Sequence, residues 1–379
     1  MREEDGELRT TFLSPTRTGA LEAGTLPGRY FTSPQIFARE LERILYRRWV
    51  CVGRTDQIPH PGDYVLQQIG HESIILVRDR AGNPRAFYNV CRHRGSLLCQ
   101  AERGRFPETI QCPYHAWTYS LDGRLIGSPH MNEVPDFDRA NYSLRAVEIE
   151  SWEGFLFINL TPAESFAQAF APVIDRFRRW SLPQLSVARR IEYVVRANWK
   201  LLFQNYSECL HCPPLHPALA KLSPYLSGAN DLYEGPFLGG FMTLVQQGGS
   251  LSMSGGACGV VVGTLPAKDR QRVYYYTIFP NLFLSLHPDY VMAHTLWPQA
   301  PDRTRVVCEW LFHPDSFTRP GFNSDDAVEF WDMTNQQDWH ICELSQQGVT
   351  SRAYTPGPFS PRESLLAAFD REYLRVMGD

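Results

Sequence analysis

The chain has 379 residues, 43% hydrophobic and 13% aromatic, enough for packed cores and long enough to expect two domains. Its 37 Lys and Arg against 41 Asp and Glu give a formal net charge of −4 with no basic block, which argues against a nucleic-acid partner. No run of about 18 apolar residues offers a membrane span and Met1 to Glu7 lacks a signal-peptide core, so a cytoplasmic protein is expected.

Residues 1–29 show little periodicity and read as a surface leader. Ser33-Pro34 opens a helix, with Ser as N-cap, Pro at the first helical position, and Ile36, Phe37, Leu41, Ile44, Leu45 and Trp49 as its apolar stripe. From Asp63 short strands take over: Tyr64–Ile69, Ser73–Asp79, Arg85–Val90, a hairpin of 117–121 and 124–126 around Asp122-Gly123, and 155–160. Beyond Thr161-Pro162 the pattern predicts a helix over 166–180, a strand over 190–196, and a helix over 199–211 stopped by Pro213-Pro214. After irregular Gly-rich sequence, strands are expected at 272–279, 282–287, 290–297 and 305–312, then a helix from Ser324 to about Gln347 and a last one over 362–376. The fold class is α+β, a small all-β domain set into a larger domain with an antiparallel sheet. The predicted segments are 1–48 as leader and helix, 49–162 as the β domain and 163–379 as the larger domain.

Nine cysteines is an odd count without the spacing of a secreted disulfide framework. Two of them matter for chemistry. Cys91-Arg92-His93 and Cys112-Pro113-Tyr114-His115 each offer one Cys and one His from a separate loop. Two thiolates on one iron and two imidazoles on the other would hold a [2Fe–2S] cluster, and the neutral ligands raise its reduction potential. A structural zinc site is the rival, but zinc loops place two to four residues between ligands, whereas Cys91-x-His93 has one. The other cysteines (Cys51, Cys99, Cys209, Cys212, Cys258, Cys308, Cys342) read mostly as buried thiols.

A second constellation lies in Asn205-Tyr206-Ser207-Glu208-Cys209-Leu210-His211-Cys212-Pro213-Pro214-Leu215-His216. On a helix, Glu208 and His211 at i and i+3 would share a face, and His216 could return from the loop beyond the prolines. Two histidines and one carboxylate leave iron positions open for O₂ and substrate. Spacing leaves the carboxylate open among Glu208, Asp338 and Glu343.

The loops Cys91-Arg92-His93-Arg94-Gly95 and 112–119 resemble the cluster loops of Rieske non-haem iron oxygenases, which carry Gly where this chain has Ala116. The 205–217 stretch, preceded by Asn198-Trp199-Lys200-Leu201, is similar to the catalytic motif of the branch acting on choline, glycine betaine and carnitine. That resemblance implies a Rieske domain inserted in a helix-grip-like catalytic domain. It implies Cys91, His93, Cys112 and His115 at the cluster, and His211, His216 and Asp338 on a mononuclear Fe(II). Glu208 becomes an electron-transfer bridge, running from His115 of one chain to Glu208 and His211 of the next in a head-to-tail homotrimer. It further implies O₂ as co-substrate and electrons from NAD(P)H through a separate ferredoxin or flavin reductase. The expected substrate is a small quaternary ammonium compound, hydroxylated at an N-methyl group or neighbouring carbon; the alternative is an aromatic. An aromatic cage would suit a permanent cation. Phe203, Tyr206, Tyr233, Phe237, Phe283 and His294 are its candidate residues, with Phe241, Tyr274, Tyr276, Tyr290 and His287 as further ones. Leu210 departs from the Tyr that relatives carry in this motif.

Overall fold

The turn-punctuated sequence after residue 49 folds into ten short antiparallel strands. They are β1 (Val50–Arg54), β2 (Asp63–Ile69), β3 (Glu72–Arg78), β4 (Pro84–Tyr88), β5 (Arg103–Arg105), β6 (Thr109–Gln111), β7 (Thr118–Ser120), β8 (Leu125–Gly127), β9 (Ala146–Trp152) and β10 (Phe155–Asn159). This is a computed structural model, and it describes residues 24–379. Most of the leader expected over 1–29 lies outside the described residues. The chain divides into two units, Leu41–Ala171 and a second made of the chain up to Glu40 with Pro172–Asp379. These limits lie at 40/41 and 171/172, against the 48/49 and 162/163 expected.

In the smaller unit the strands order as β1-β10-β9-β4-β3-β2-β5, with a separate sheet β6-β7-β8. Asp122-Gly123 makes its hairpin as expected: Gly123 takes φ +89 and Tyr119 pairs with Leu125. Ile75, Ile110, Trp117, Tyr119 and Leu121 are buried together beneath the two loops that carry the Cys–His pairs.

The helix expected over 166–180 is not continuous. Ser165 and Gln168 form a capping box for Phe166–Ala169, but turns follow until a 3₁₀ turn at Arg178–Trp180. Pro172 accounts for the break, since it lacks the N–H that a continuing helix needs and its ring clashes with the preceding turn.

The larger unit is built on one antiparallel sheet, ordered β11-β17-β16-β15-β14-β13-β12. Its strands are β11 (Ser186–Val195), β12 (Ala229–Glu234), β13 (Phe237–Thr243), β14 (Arg272–Ile278), β15 (Leu282–Leu286), β16 (Val291–Ala300) and β17 (Arg303–Phe312). β12 and β13 escaped prediction because glycines interrupt the hydrophobic pattern. At Gly239 and Gly240 a Cβ would stand about 2.0 Å from the carbonyl oxygens of Tyr275 and Ala229, so the strands approach where no side chain fits.

The helices that matter are α1 (Pro34–Glu40), α2 (Trp199–Tyr206), α3 (Cys212–Leu215), α4 (Asp325–Val349) and α5 (Ser364–Met377). Ser33 Oγ accepts from Ile36 N, as its N-cap position requires, and past Glu40 the helix loosens into a π-helical turn, Leu41–Leu45. Helix α4 packs on α2 and β11, and α5 packs on α2, β12 and β13. Glu40 of α1 is the buried tie among them. Its carboxylate accepts from Lys200 Nζ at 2.5 Å, Trp199 Nε1 at 2.9 Å and Tyr373 Oη at 2.6 Å. A buried pair this well hydrogen-bonded holds three segments in register, and deleting one partner costs about 3–5 kcal/mol. No helix among the described residues is long and apolar enough to cross a membrane.

Candidate metal centres

The two Cys–His loops of the smaller unit have the same backbone construction. Gly95 N donates to Cys91 O at 3.0 Å and Cys91 N to Ser96 O at 2.8 Å. In the second loop, Ala116 N donates to Cys112 O at 3.1 Å and Cys112 N to Trp117 O at 2.8 Å. Each turn closes through a left-handed residue, Gly95 at φ +74 and Ala116 at φ +54. Ala116 therefore occupies the conformation for which Gly is suited, at some cost from its Cβ.

These turns bring two thiols and two imidazoles together. Cys91 and Cys112 are buried, and the His93 and His115 rings lie 4.7 Å apart. Trp117 stacks on His93 at 4.8 Å, while Tyr119 Oη lies 3.4 Å from Cys91 Sγ and accepts from Arg92 N at 3.0 Å. Nδ1 of both histidines is buried with no partner among the described residues. Two buried, unpaired nitrogens facing the same space as two thiols fit a [2Fe–2S] cluster held by two Cys and two His.

In the larger unit the site differs from expectation in one local respect. Helix α2 ends at Tyr206, where Ser207 Oγ turns back to Phe203 O at 2.7 Å. Glu208 and His211 consequently sit in a turn, not on the helix. Pro213 and Pro214 do not stop a helix but start one: α3 carries them in its first turn, with His211 at its N-cap and His216 at its C-cap. Cys209 and Cys212 are joined in a disulfide that brackets His211, a pairing the sequence reading missed. The remaining cysteines among the described residues are free.

Three side chains converge there. His216 Nε2 lies 2.9 Å and His211 Nε2 3.4 Å from Asp338 Oδ1, and all three ligand atoms fall within 4.8 Å of one another. Asp338 reaches them from the middle of α4, more than 120 residues along the chain. Behind each ring stands an acceptor for Nδ1–H: Glu208 Oε1 for His211, and Gln337 Oε1 at 2.7 Å for His216. Glu208 Oε2 also accepts from Leu210 N. Burial alone would disfavour a charged His211, but hydrogen bonds to Asp338 and Glu208 outweigh it and push the imidazole up to about 10. Burial likewise opposes ionising Asp338, and hydrogen bonds from His211 and His216 overcome that, holding its carboxyl below the usual range. Two imidazoles turned by carboxylate or amide acceptors, with one carboxylate between them, fit a mononuclear iron with open positions. Glu343 is engaged elsewhere, accepting from Arg196 N at 3.0 Å, so it does not join this group.

The profile of the ring hydroxylating alpha subunit catalytic domain matches residues 182–379, and that of the Rieske [2Fe-2S] domain matches residues 48–138. The glycine betaine monooxygenase oxygenase subunit of Chromohalobacter salexigens is 31% identical over 373 residues, covering 89% of this chain and 82% of that one. The chain belongs to the Rieske oxygenase alpha subunits. The carnitine monooxygenase oxygenase subunit of Acinetobacter baumannii is 38% identical over 202 residues, 52% of this chain and 54% of the other. A solved quaternary ammonium Rieske monooxygenase in complex with an inhibitor superposes with a TM-score of 0.78 at 25% identity, covering 93% of this chain and 95% of the other. As a Rieske oxygenase the protein is an oxidoreductase with a [2Fe–2S] cluster, a non-haem iron and a separate reductase as electron source.

The sheet of this Rieske oxygenase sorts the pocket candidates by face. Tyr206 stacks on Phe283 at 4.5 Å, with His294 at 6.1 Å and 6.3 Å from the two rings, and Tyr206 Oη meets Ser285 Oγ at 2.7 Å. Phe203 lies deeper, stacked on Phe369 of α5. Tyr274 and Tyr276 point to the opposite face, toward Trp180 and Phe177, and Phe241 and Phe237 share that face, with Phe241 paired directly opposite Tyr274 and Phe237 opposite Ile278. Tyr233 is on edge strand β12 and 41% exposed. The structure thus brings together Tyr206, Phe283 and His294 and places Tyr233, Phe237, Phe241, Tyr274 and Tyr276 away from them. Tyr290 and His287 stack together at 4.0 Å in the turn after β15. The residue missed is Tyr275, which faces Tyr206 and Trp331 with its hydroxyl buried and unpaired. Period-two alternation along β14 could have found it, because one residue's shift in register exchanges the faces.

Proposed function

We propose that this Rieske oxygenase hydroxylates a methylated quaternary ammonium compound of the betaine, choline or carnitine type, at an N-methyl group or the neighbouring carbon. The observation that carries the reading is the aromatic wall that Phe283 and Tyr275, on the sheet face turned toward α4, form with Tyr206 of α2, α4 being the helix that carries Asp338. A quaternary nitrogen has no N–H to donate, so ring faces are what attract it. The names of the glycine betaine and carnitine relatives support the same substrate class.

In this proposal Cys91, His93, Cys112 and His115 hold the cluster, and His211, His216 and Asp338 hold the iron. When bound, the cluster supplies electrons singly and the iron supplies activation of O₂. The protein's own part is orientation. Glu208 and Gln337 accept the Nδ1 protons, fix the tautomers and keep both Nε2 lone pairs turned toward Asp338. The Tyr206 hydroxyl is held back by Ser285, leaving its ring face for substrate. Hydroxylation at an N-methyl group balances as R₃N⁺–CH₃ plus O₂, two electrons and two protons giving R₃N⁺–CH₂OH and water; the carbinol then releases formaldehyde.

We also place the protein in the cytoplasm as a homotrimer, in which Glu208 would bridge His115 of the partner subunit and His211 by accepting a ring N–H from each, giving the electrons a hydrogen-bonded path between the two centres. The half-buried His93 and His115 with exposed Tyr114 beside them support a docking rim at the cluster. The substrate test is NADH-dependent O₂ uptake with a partner reductase. Stimulation by glycine betaine, choline or carnitine is the expected result, with formaldehyde released on attack at an N-methyl group, or a methylated amine and a larger aldehyde on attack at the neighbouring carbon. Stimulation by an aromatic acid alone would replace this reading with ring hydroxylation.

A further inference from the structure

We propose that His294 presents a bare acceptor nitrogen to the substrate, so that the favoured substrate carries one hydrogen-bond donor, a hydroxyl or an N–H, close to its methylated nitrogen. This rests on the reading above of a methylated ammonium substrate and goes further: a hydroxyl donor keeps the nitrogen quaternary, whereas an N–H donor would extend that reading to a protonated tertiary amine.

The argument is a chain of committed protons. Asp332 accepts from Tyr193 Oη at 2.6 Å and from Gln336 Nε2 at 2.7 Å. With its single proton given to Asp332, the Tyr193 oxygen can only accept, and Asn335 Nδ2 donates to it at 3.5 Å. The same amide nitrogen lies 3.8 Å from Cys308 Sγ. This fixes which way the Asn335 amide points, and its Oδ1 meets His294 Nε2 at 3.2 Å. A carbonyl oxygen needs a donor, so Nε2 carries the hydrogen. Burial keeps the ring neutral, pulling it down to about 4. Nδ1 is left with a lone pair.

That nitrogen is buried and has no partner among the described residues, in a ring that is 2% exposed. The ring stands between Tyr206, Phe283 and Trp339, the last at 6.2 Å, and Trp339 follows Asp338 on α4. An unpaired acceptor in such a place carries a penalty that a ligand with a matching donor removes and a ligand without one leaves in force. Sites that hydrogen-bond a substrate group discriminate against analogues lacking it far more than apolar pockets discriminate by size.

Two pairs of compounds separate the sources of the donor. Carnitine and γ-butyrobetaine differ by one hydroxyl; protonated dimethylglycine and glycine betaine differ by an N–H in place of a methyl. With the iron- and cluster-loaded enzyme and a partner reductase, we expect kcat/KM to favour the donor-bearing member of one pair by roughly tenfold or more. Anaerobic calorimetry should show the same preference in Kd. His294→Phe should bring that ratio close to one, while His294→Gln, which keeps an acceptor, should retain part of it. Tyr193→Phe, a positioning change that frees the Asn335 amide, should narrow the ratio through KM and not kcat. Ratios near one for both pairs in the unaltered enzyme, or a ratio unchanged in His294→Phe, overturn the inference while leaving the methylammonium reading in place. Failure of all four compounds to bind, with an aromatic acid accepted, overturns both.

Discussion

His93 and His115 leave Nδ1 buried and unpaired, whereas His211 and His216 pair Nδ1 with Glu208 and Gln337 and turn Nε2 toward Asp338. The two proposed metal sites thus use opposite ring nitrogens, and the difference follows from how each is built. In the smaller unit, ligands two or three residues apart lie on tight turns, and the nitrogen nearest the backbone faces the centre. In the larger unit, ligands arrive from α3 and α4, and the ring must extend its far nitrogen while an acceptor braces the near one. At these four histidines the nitrogen turned to the shared centre is the one with no bracing acceptor behind it, and a braced Nδ1 marks a ring that the protein orients from behind.

Asp338→Ala tests the asymmetry most severely, because one residue from α4 completes the larger unit's site and nothing in the smaller unit depends on it. Iron content should fall from three to two per chain and turnover should disappear, with the cluster's visible and EPR spectra intact. Turnover surviving that change would remove Asp338 from the site. Gln337→Leu should act less drastically. It deletes the acceptor behind His216 and should weaken iron binding by about 10- to 100-fold, read by chelator competition. An unchanged affinity would mean that His216 needs no brace, and the contrast with the cluster histidines would lose its physical basis.

The same contrast explains what could be read from the sequence. Cys91, His93, Cys112 and His115 are legible because their ligand spacing is local and the turn chemistry of Gly95 and Asp122-Gly123 is explicit. The strands β2, β3 and β4 and helix α4 are legible by periodicity. The 205–217 stretch announces its histidines but misleads on form, since Pro213-Pro214 serves equally to end one helix and to begin another. Asp338 is invisible to spacing, being more than 120 residues from His216, and required resemblance to a family. Gln337 is adjacent to it, yet nothing in the sequence distinguishes it from Gln336, which binds Asp332 instead. The aromatic wall fails for a different reason: in Tyr274-Tyr275-Tyr276 composition is identical at three positions, and register alone selects the middle one.

Stability offers a finer comparison, one change in each unit. In the larger unit, burial against α2 pushes the Asp370 carboxyl up to about 7, although Gln204 and Lys200 pull the other way. A carboxyl whose folded value exceeds its unfolded value near 3.8 contributes fully below that unfolded value and loses its contribution as pH rises through 7. Asp370→Asn should accordingly stabilise the larger unit by about 1–3 kcal/mol at pH 8, with the gain shrinking toward pH 4. Calorimetric melts at the two pH values would show it. A gain equal at both would assign the effect to packing.

Ala116→Gly is the smallest change, confined to the smaller unit. Its left-handed backbone at φ +54 is where a Cβ crowds the adjacent carbonyl, whereas the equivalent position of the other loop already has Gly95. Relief of that crowding is worth about 1–2 kcal/mol, offset by about 0.4–1 kcal/mol for the greater freedom of glycine in the unfolded chain. The melting transition of the smaller unit should rise modestly. The cluster potential should stay constant, because Ala116 is exposed and the turn bonds to Cys112 are backbone bonds that glycine also makes. A shifted potential would instead mean that the methyl group shields the cluster from water, giving Ala116 a part in setting the potential that its backbone angle does not require.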